Sequence, residues 1–479
     1  MVLQALTEHL DERGRHEMQV TRASATVAVA ALALAGVAAC SSSKSKSGGG
    51  STAAAQSSGG AKLSGACAPF SAYAGHKGTT VTMFGSILSP ESDSLNKSWA
   101  QFEQCTGITI KYTGSNSFES DLPTKVSGGN APDLAIIPQP GLLSQMVLTG
   151  SVKKPPAGTV ANENNWNAAW KSYGSVGGQF YAAPMSANMK SLVWYSPKFF
   201  AAHHYTVPTT WADLMSLSAK IAKDMGSSGK PWCGGISSGT ASGWPATDWL
   251  EEAVLGSYGG QVYDDWISHK VKFTDPKIEK AMETVAGYMH NAAWVNGGYG
   301  GVQTIATTTF QNAGIPILHD KCAMLQQASF YEAQWPKGTK VGPDPTDDVM
   351  AFYLPAVDPS VSKPVEGGGE FVTAFSSKPE VQAVQNYVSS PEWADARIKV
   401  APGWVSANQK VDQSLYTDPI DKLSAKFLAD PSATFRFDAS DAMPAAVGSG
   451  AEWKAMVDWF GSGKSIPAVA QEIDAAWPH

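Results

Sequence analysis

The chain has 479 residues, 43% of them hydrophobic and 16% charged, with a formal net charge of −7. At the usual ~100–200 residues per domain this length implies two or more domains, and the apolar content excludes wholesale disorder. The acidic balance argues against a binder that neutralises phosphates, and one apolar stretch near the N-terminus does not make a polytopic membrane protein.

That stretch, residues 23–39 (ASATVAVAALALAGVAA), is short, built of small residues, and reads as an export signal. Glu8, Asp11, Glu12 and Glu17 make the preceding segment acidic, whereas a start at Met18 leaves Arg22 as the usual basic flank, so Met18 is the expected true start. Val37-Ala38-Ala39-Cys40 resembles a bacterial lipobox, which implies lipidation of Cys40 and attachment to the outer face of the cytoplasmic membrane. Residues 40–77 begin with a Ser/Gly-rich run lacking bulky apolar side chains, the composition of a flexible tether. Beyond Cys40 an even number of cysteines remains, as suits disulfides in an oxidising compartment. The first strand runs away from Cys67 and the following helix returns over a similar distance to Cys105, which favours Cys67–Cys105 and leaves Cys233–Cys322. No CxxC or Cys/His spacing supports a metal, and no cofactor is expected.

Strand-like and helical runs then alternate. TTVTMFGS (79–86) reads as a strand, and SDSLNKSWAQFEQCTG as a helix with Leu95, Trp99 and Phe102 at helical spacing, stopping at Gly107. ITIKYTG (108–114), a helix containing Pro123, DLAIIPQPG (133–141) and the helix GLLSQMVLTG complete a β-α-β-α-β-α order, which predicts a parallel sheet with helices on both faces. Ligands of such sheets sit at the carboxyl ends of the strands. The loops there carry Ser86, Ser89, Asn116 and Gln139, neutral groups suited to a hydroxyl-rich ligand.

A second α/β unit follows residue 195: helix 211–225, a strand over GGISS, helices 245–256 and 276–292, and strand 322–327. Segments 349–355, GGEFVTAF and helix 379–389 read as a return to the first unit. From about residue 405 the chain is expected to be helical, with Ser465 and Pro467 at a helix N-terminus.

Several motifs imitate chemistry. Gly235-Ile236-Ser237-Ser238-Gly239 matches a nucleophile elbow, but a flexible turn replaces the required strand-to-helix junction. Gly463-Lys464-Ser465 lacks the first P-loop glycine, since Asp458 stands there. The pairs Asp264/Asp265, Asp347/Asp348 and Glu251/Glu252 are adjacent and point apart, and His203/His204 stand without other ligand-type residues. The 16 tryptophans say more, because Trp232, Trp244, Trp249, Trp335, Trp404 and Trp477 sit at turns beside polar residues. Sugar rings need aromatic platforms and planar hydrogen-bonding side chains, and Trp244 with Asp248 supplies both within four residues.

With the lipobox and tether, GGQFYAAPMSANMKSLVWYSPKFF followed by VPTTWADL resembles the extracellular solute-binding proteins of bacterial ABC importers, the family that includes maltose-binding proteins. GGNAPDLAIIPQPGLL, PWCGGISSGTASGWPATDWLEE, CAMLQQASF, GGGEFVTAF and APGWVSANQKV are similar to its α-glucoside branch. The resemblance implies an α/β periplasmic-binding-protein fold of two lobes, each a mostly parallel sheet with flanking helices, closing by hinge motion over an unaltered sugar. The first lobe would hold residues 78–190 and 353–403, and the second 196–348 and 405–479. It further implies Ser86, Asn116 and Gln139 on the first-lobe wall, and Trp244 and Asp248 on the second. Gln327 and Phe330 would follow a second-lobe strand, Glu370 would lie near the hinge, and Arg436 and Asp438 would line the cleft. The implied partners are an α-glucoside or other oligosaccharide and the membrane subunits of an ABC permease, approached by a lipid-anchored monomer that binds no nucleic acid. The competing expectations are an anchored extracellular glycosidase and a binding protein of the same fold for a non-sugar solute.

Overall fold

The computed structural model describes residues 62–478, so the expected signal and Cys40 lie outside the described residues. The expected tether is shorter than residue 77. Gly65–Tyr73 forms a 3-10 segment whose Phe70 is buried against Phe102 and Tyr387, and Cys67 is bonded to Cys105. Tyr73 packs on the same Phe102 and Tyr387, so two aromatic rings and one cross-link dock the segment. The second expected pair, Cys233–Cys322, joins neighbouring strands.

The first lobe is built on a sheet ordered Thr109–Gly114, Thr80–Gly85, Leu134–Ile137, Phe371–Ala374, Ala183–Pro184. Its first three strands are parallel, as the βαβ order predicts, and Phe371–Ala374 runs antiparallel to both neighbours. The second sheet is ordered Met350–Tyr353, Leu192–Tyr195, Cys322–Gln326, Lys230–Cys233, and here Leu192–Tyr195 is the reversed strand. Each reversed strand is the one by which the chain arrives from the other lobe. It enters at the cleft, where its neighbours end, and so must run against them. Leu192–Tyr195 also shows the period-2 rule of a sheet covered on both faces: Val193 and Tyr195 join one core, Leu192 and Trp194 another.

Between the lobes the three crossings pair with one another. Pro364–Gly368 lies between Thr434–Phe437, to which it is parallel, and Asn188–Met189, to which it is antiparallel. The third crossing starts later than residue 405, because Val405, Ala407, Val411 and Tyr416 still pack in the first core, and Ile420 is the first residue beyond them in a different one.

Helix starts follow a pattern visible in the sequence. Ser196, Asp275, Ser390 and Asp418 each precede a proline in the first turn, and each side chain accepts a backbone N–H two or three residues on. Two expected elements differ. The helix after the first strand breaks at buried Trp99 into Glu91–Ser98 and Ala100–Thr106. The strand expected at GGISS is instead Lys230–Cys233, which pairs in parallel with Cys322–Gln326, while Ser237–Gly239 turns along the mouth of the cleft.

Candidate functional site

A cavity of about 290 Å3 lies between the lobes, near the lower end of the ~300–1,000 Å3 usual for small-molecule sites. Its first wall is made by the loops leaving the three parallel strands: Ser86–Ser89 after Gly85, Ser115 and Asn116 after Gly114, and Pro138 and Gln139 after Ile137. The opposite wall comes from the turn Ser237–Gly239, the N-terminus of helix Trp244–Ile267, and Phe310 and Phe330. The crossings supply the floor, with Lys190, Gly368–Glu370 and Asp438.

The lobes touch. The Asn116 carbonyl accepts both the N–H and the hydroxyl of Thr240, each at 3.1 Å. Gly239 makes this approach possible: its φ is +60°, and a Cβ there would stand 2.4 Å from the Asn116 oxygen. Gly243, at φ +111°, is equally constrained, with the Trp453 carbonyl 2.0 Å from where a Cβ would be. The glycines of this stretch therefore serve close packing, and the imitation nucleophile elbow is a turn. Among the described residues no histidine lines the cavity.

Aromatic rings and neutral polar groups face one another across the space. Trp244 packs edge-on to Phe310 at 5.1 Å and lies 5.9 Å from Phe330. Gln139, buried, donates to Glu119 Oε1 at 3.2 Å, and its own Oε1 has no partner among the described residues.

Beneath these walls is a buried ionic cluster. Lys190 Nζ donates to Asp248 Oδ1 at 2.7 Å and to Asp438 Oδ2, and lies 5.4 Å from the Trp244 ring centre. Glu251 accepts from the backbone N–H groups of Ala439 and Ser440, at 2.5 and 3.1 Å, and from the Tyr263 hydroxyl at 2.9 Å. Glu366 is fully buried with neither oxygen bonded. Burial pushes the Asp248 carboxyl up to about 7 and Glu252 to about 8, and holds Glu251, Glu366, Asp441 and Glu452 well above the usual carboxylate range. Lys190 moves upward too: burial opposes its charge, but Asp248 and Asp438 outweigh burial. Oxygens of Asp248, Glu366 and Asp438 come within 4.8 Å of one another, a spacing a metal ion would suit, but the Lys190 ammonium already bridges two of them.

Of the residues expected from the sequence, Ser86, Asn116, Gln139, Trp244, Phe330, Glu370 and Asp438 line the cavity. Asp248 stands behind it, reaching the space only through Lys190. Gln327 and Arg436 do not line it. Gln327 is turned into the protein, where its carbonyl accepts the Trp194 indole N–H at 3.0 Å and its Oε1 accepts the Ala328 N–H. Strand alternation sends Phe437 into the first core and leaves Arg436 on the other side, forked onto Asp264 at 2.6 and 2.8 Å. Of the turn tryptophans, Trp232 and Trp249 are core residues and Trp477 stacks on His269 at 4.0 Å. Lys190, Phe310 and Glu119 escaped the sequence reading. A lysine inside the apolar run of the first crossing was the one available signal.

Residues 88–395 match the family described as bacterial extracellular solute-binding protein. The osmoprotective compounds-binding protein GgtB of Synechocystis is 32% identical over 404 residues, covering 83% of this chain and 92% of that protein. The alpha-glucosides-binding periplasmic protein AglE of Rhizobium meliloti is 33% identical over 415 residues, 84% of this chain and 87% of that one. Among solved structures, the solute receptor AcbH superposes with a TM-score of 0.70 at 18% identity, covering 84% of this chain and 98% of that one. Maltose-bound MalE3 of T. maritima gives 0.63 at 18% identity, covering 83% and 98%. Two α/β lobes joined by three paired crossings around an interlobe cavity, together with these matches, place the chain in the bacterial extracellular solute-binding protein family, whose members bind solutes rather than transform them.

Proposed function

We propose that this protein is the substrate-binding component of an ABC-type importer for an α-glucoside, held at the membrane by a lipidated Cys40 and acting as a monomer. The observation that carries the reading is the cavity wall: Trp244, Phe310 and Phe330 on one side and Asn116 with the unpartnered Gln139 oxygen on the other. Apolar C–H faces of a pyranose stack on the rings, and its hydroxyls meet the amides. The resemblance to AglE supports an α-glucoside, while the resemblance to GgtB favours, as second reading, another small osmoprotective solute.

The mechanism is capture without chemistry. The ligand settles on one lobe, and the Thr240–Asn116 contact and the Trp244 side close over it, so the closed form gains the whole difference in affinity. The closed surface then docks on the permease. Ser86, Asn116, Gln139, Trp244, Phe330, Glu370 and Asp438 are the assigned contacts.

Calorimetry and thermal shift with maltose, trehalose and sucrose test the reading. Stabilisation should follow RT ln(1 + [L]/Kd), about 2.7 kcal/mol at a hundredfold excess, with the sugar recovered intact. Hydrolysed sugar, or no response to any glucoside, would refute it. Loss of lipid labelling in Cys40→Ser tests the anchor.

A further inference from the structure

Among the described residues two groups of three acids converge, Asp248 with Glu366 and Asp438, and Glu332 with Asp418 and Asp421, each with oxygens within 4.8 Å of one another. The Lys190 ammonium closes the first group. The second has no such partner: none of its acids forms a salt bridge among the described residues. Like charges crowded out of water are unfavourable, so this group takes up either protons or a cation from outside.

The three acids come from segments in close contact. Glu332 lies on the 3-10 segment Ser329–Gln334, which also presents Phe330 to the cavity. Asp418 and Asp421 stand at the start of helix Pro419–Leu428, beyond the third crossing. Gly403 packs onto the Glu332 segment at a φ of +74°, where a Cβ would stand 2.5 Å from the Ser329 carbonyl oxygen and 2.9 Å from Glu332 Cβ. Glu332 and Asp421 are 7% and 3% exposed, and Oε2 of the one and Oδ1 of the other have no hydrogen-bond partner among the described residues. Ser424, one turn beyond Asp421 on the same helix face, is a fully buried hydroxyl that also lacks a partner among them. Asp418 is half-buried beside exposed Thr417 and gives the group its access to solvent.

The surroundings favour carboxylates over neutral acids. Burial pushes Asp421 up, but the N–H groups of Gly403 and Trp404 lie against it and favour its charged form. Asp418 caps its helix, with Oδ1 accepting the Ile420 N–H at 2.7 Å, where a negative charge is stabilised. The corners of a triangle with 4.8 Å sides stand about 2.8 Å from its centre, so a small contraction reaches the ~2.3–2.6 Å of calcium–oxygen bonds. Magnesium, at ~2.0–2.1 Å in near-ideal octahedral geometry, demands a larger one. An ion bonded to all three stands inside the gap, so the two buried acids need no surface open to bulk water.

We propose that Glu332, Asp418 and Asp421 bind a calcium ion, with Ser424 and water as further oxygen ligands. The ion ties the segment presenting Phe330 to the helix beyond the third crossing, whichever solute the cavity takes.

The test uses the whole protein, stripped with EGTA and dialysed. Titrated with CaCl2 in a calorimeter at pH 7, it should take up one ion per chain with a Kd of about 1 mM or less. Its melting temperature should rise by about 2 °C or more in 10 mM CaCl2, and by less in 10 mM MgCl2. Asp418→Asn keeps an equally good helix cap but removes a charge. It should weaken calcium binding about tenfold or more, while the stripped variant melts no more than about 2 °C below the stripped parent. Glu332→Gln should weaken calcium binding likewise. No calcium uptake by the stripped parent, the result expected if protons neutralise the group, overturns the proposal and needs no variant to fold. An equal response to magnesium overturns it too, as does calcium binding unchanged in both variants, which would place the ion elsewhere.

Discussion

The first-lobe wall and the floor of the same cavity are built in opposite ways. The wall consists of three loops, each a few residues beyond its own strand, carrying neutral groups such as Asn116 and Gln139. The floor draws Lys190, Glu366 and Asp438 from three crossings and Asp248 from a helix, residues far apart in the chain that meet with almost no water. Neutral groups at a rim can exchange water for ligand at little cost, so the wall is suited to selecting. A charge in the interior must be paired before any ligand arrives, so the floor holds the hinge and the base of the Trp244 platform.

The sharpest way to break this contrast is Lys190→Met, which leaves Asp248 and Asp438 buried without their cation. Denaturant unfolding should show a loss of about 3–5 kcal/mol. A change within about 0.5 kcal/mol would mean the floor is not held by its ion pairs.

The pH dependence of stability probes the same region without mutation. Asp248 near 7, with Glu252 and Glu370 near 8, keep protons in the folded state that the unfolded chain releases near pH 4. Where the native state binds more protons, stability falls as pH rises. The contribution is therefore whole below about pH 4 and is lost progressively up to about pH 8. The urea-derived stability should be higher at pH 5 than at pH 8, each of the three carboxyls contributing about 2–4 kcal/mol to the difference. A flat or rising profile over that window would count against a protonated floor.

On the second-lobe wall, Trp244→Ala removes a platform next to Phe310 and Phe330, and sugar binding should weaken about thirtyfold by calorimetry. Gly239→Ala acts on closure, since the new Cβ meets the Asn116 carbonyl, and adds strain at a left-handed φ of +60°. It should weaken binding about tenfold while costing the ligand-free protein only the left-handed strain of about 1–2 kcal/mol. Unaltered binding in that variant would show that the Thr240–Asn116 contact is incidental.

Much of the wall was legible because its signals are local. A strand ending in glycine, a polar residue and a helix start places Asn116, and Gln139 before Pro140 likewise, at the mouth of a parallel sheet. Ser465 and Pro467 marked a helix start, and the Cys67–Cys105 pairing followed from one strand and one returning helix. Arg436 and Gln327 were misread because their roles depend on partners far along the chain, Asp264 for one and Trp194 for the other. Lys190 was missed for the same reason: a lone lysine in an apolar crossing has no meaning until Asp248 and Asp438 are beside it.

The chain itself determined an α/β protein with parallel βαβ units, two disulfides and neutral polar loops at the strand ends, because period, caps, spacing and turn chemistry act over a few residues. Only the tertiary structure decided which strands run backwards, where the third crossing leaves the first core, and that a lysine held between two aspartates lies beneath the cleft. Those outcomes depend on desolvation and on partners from distant segments, and the free energy of a buried charge is set by what surrounds it in space.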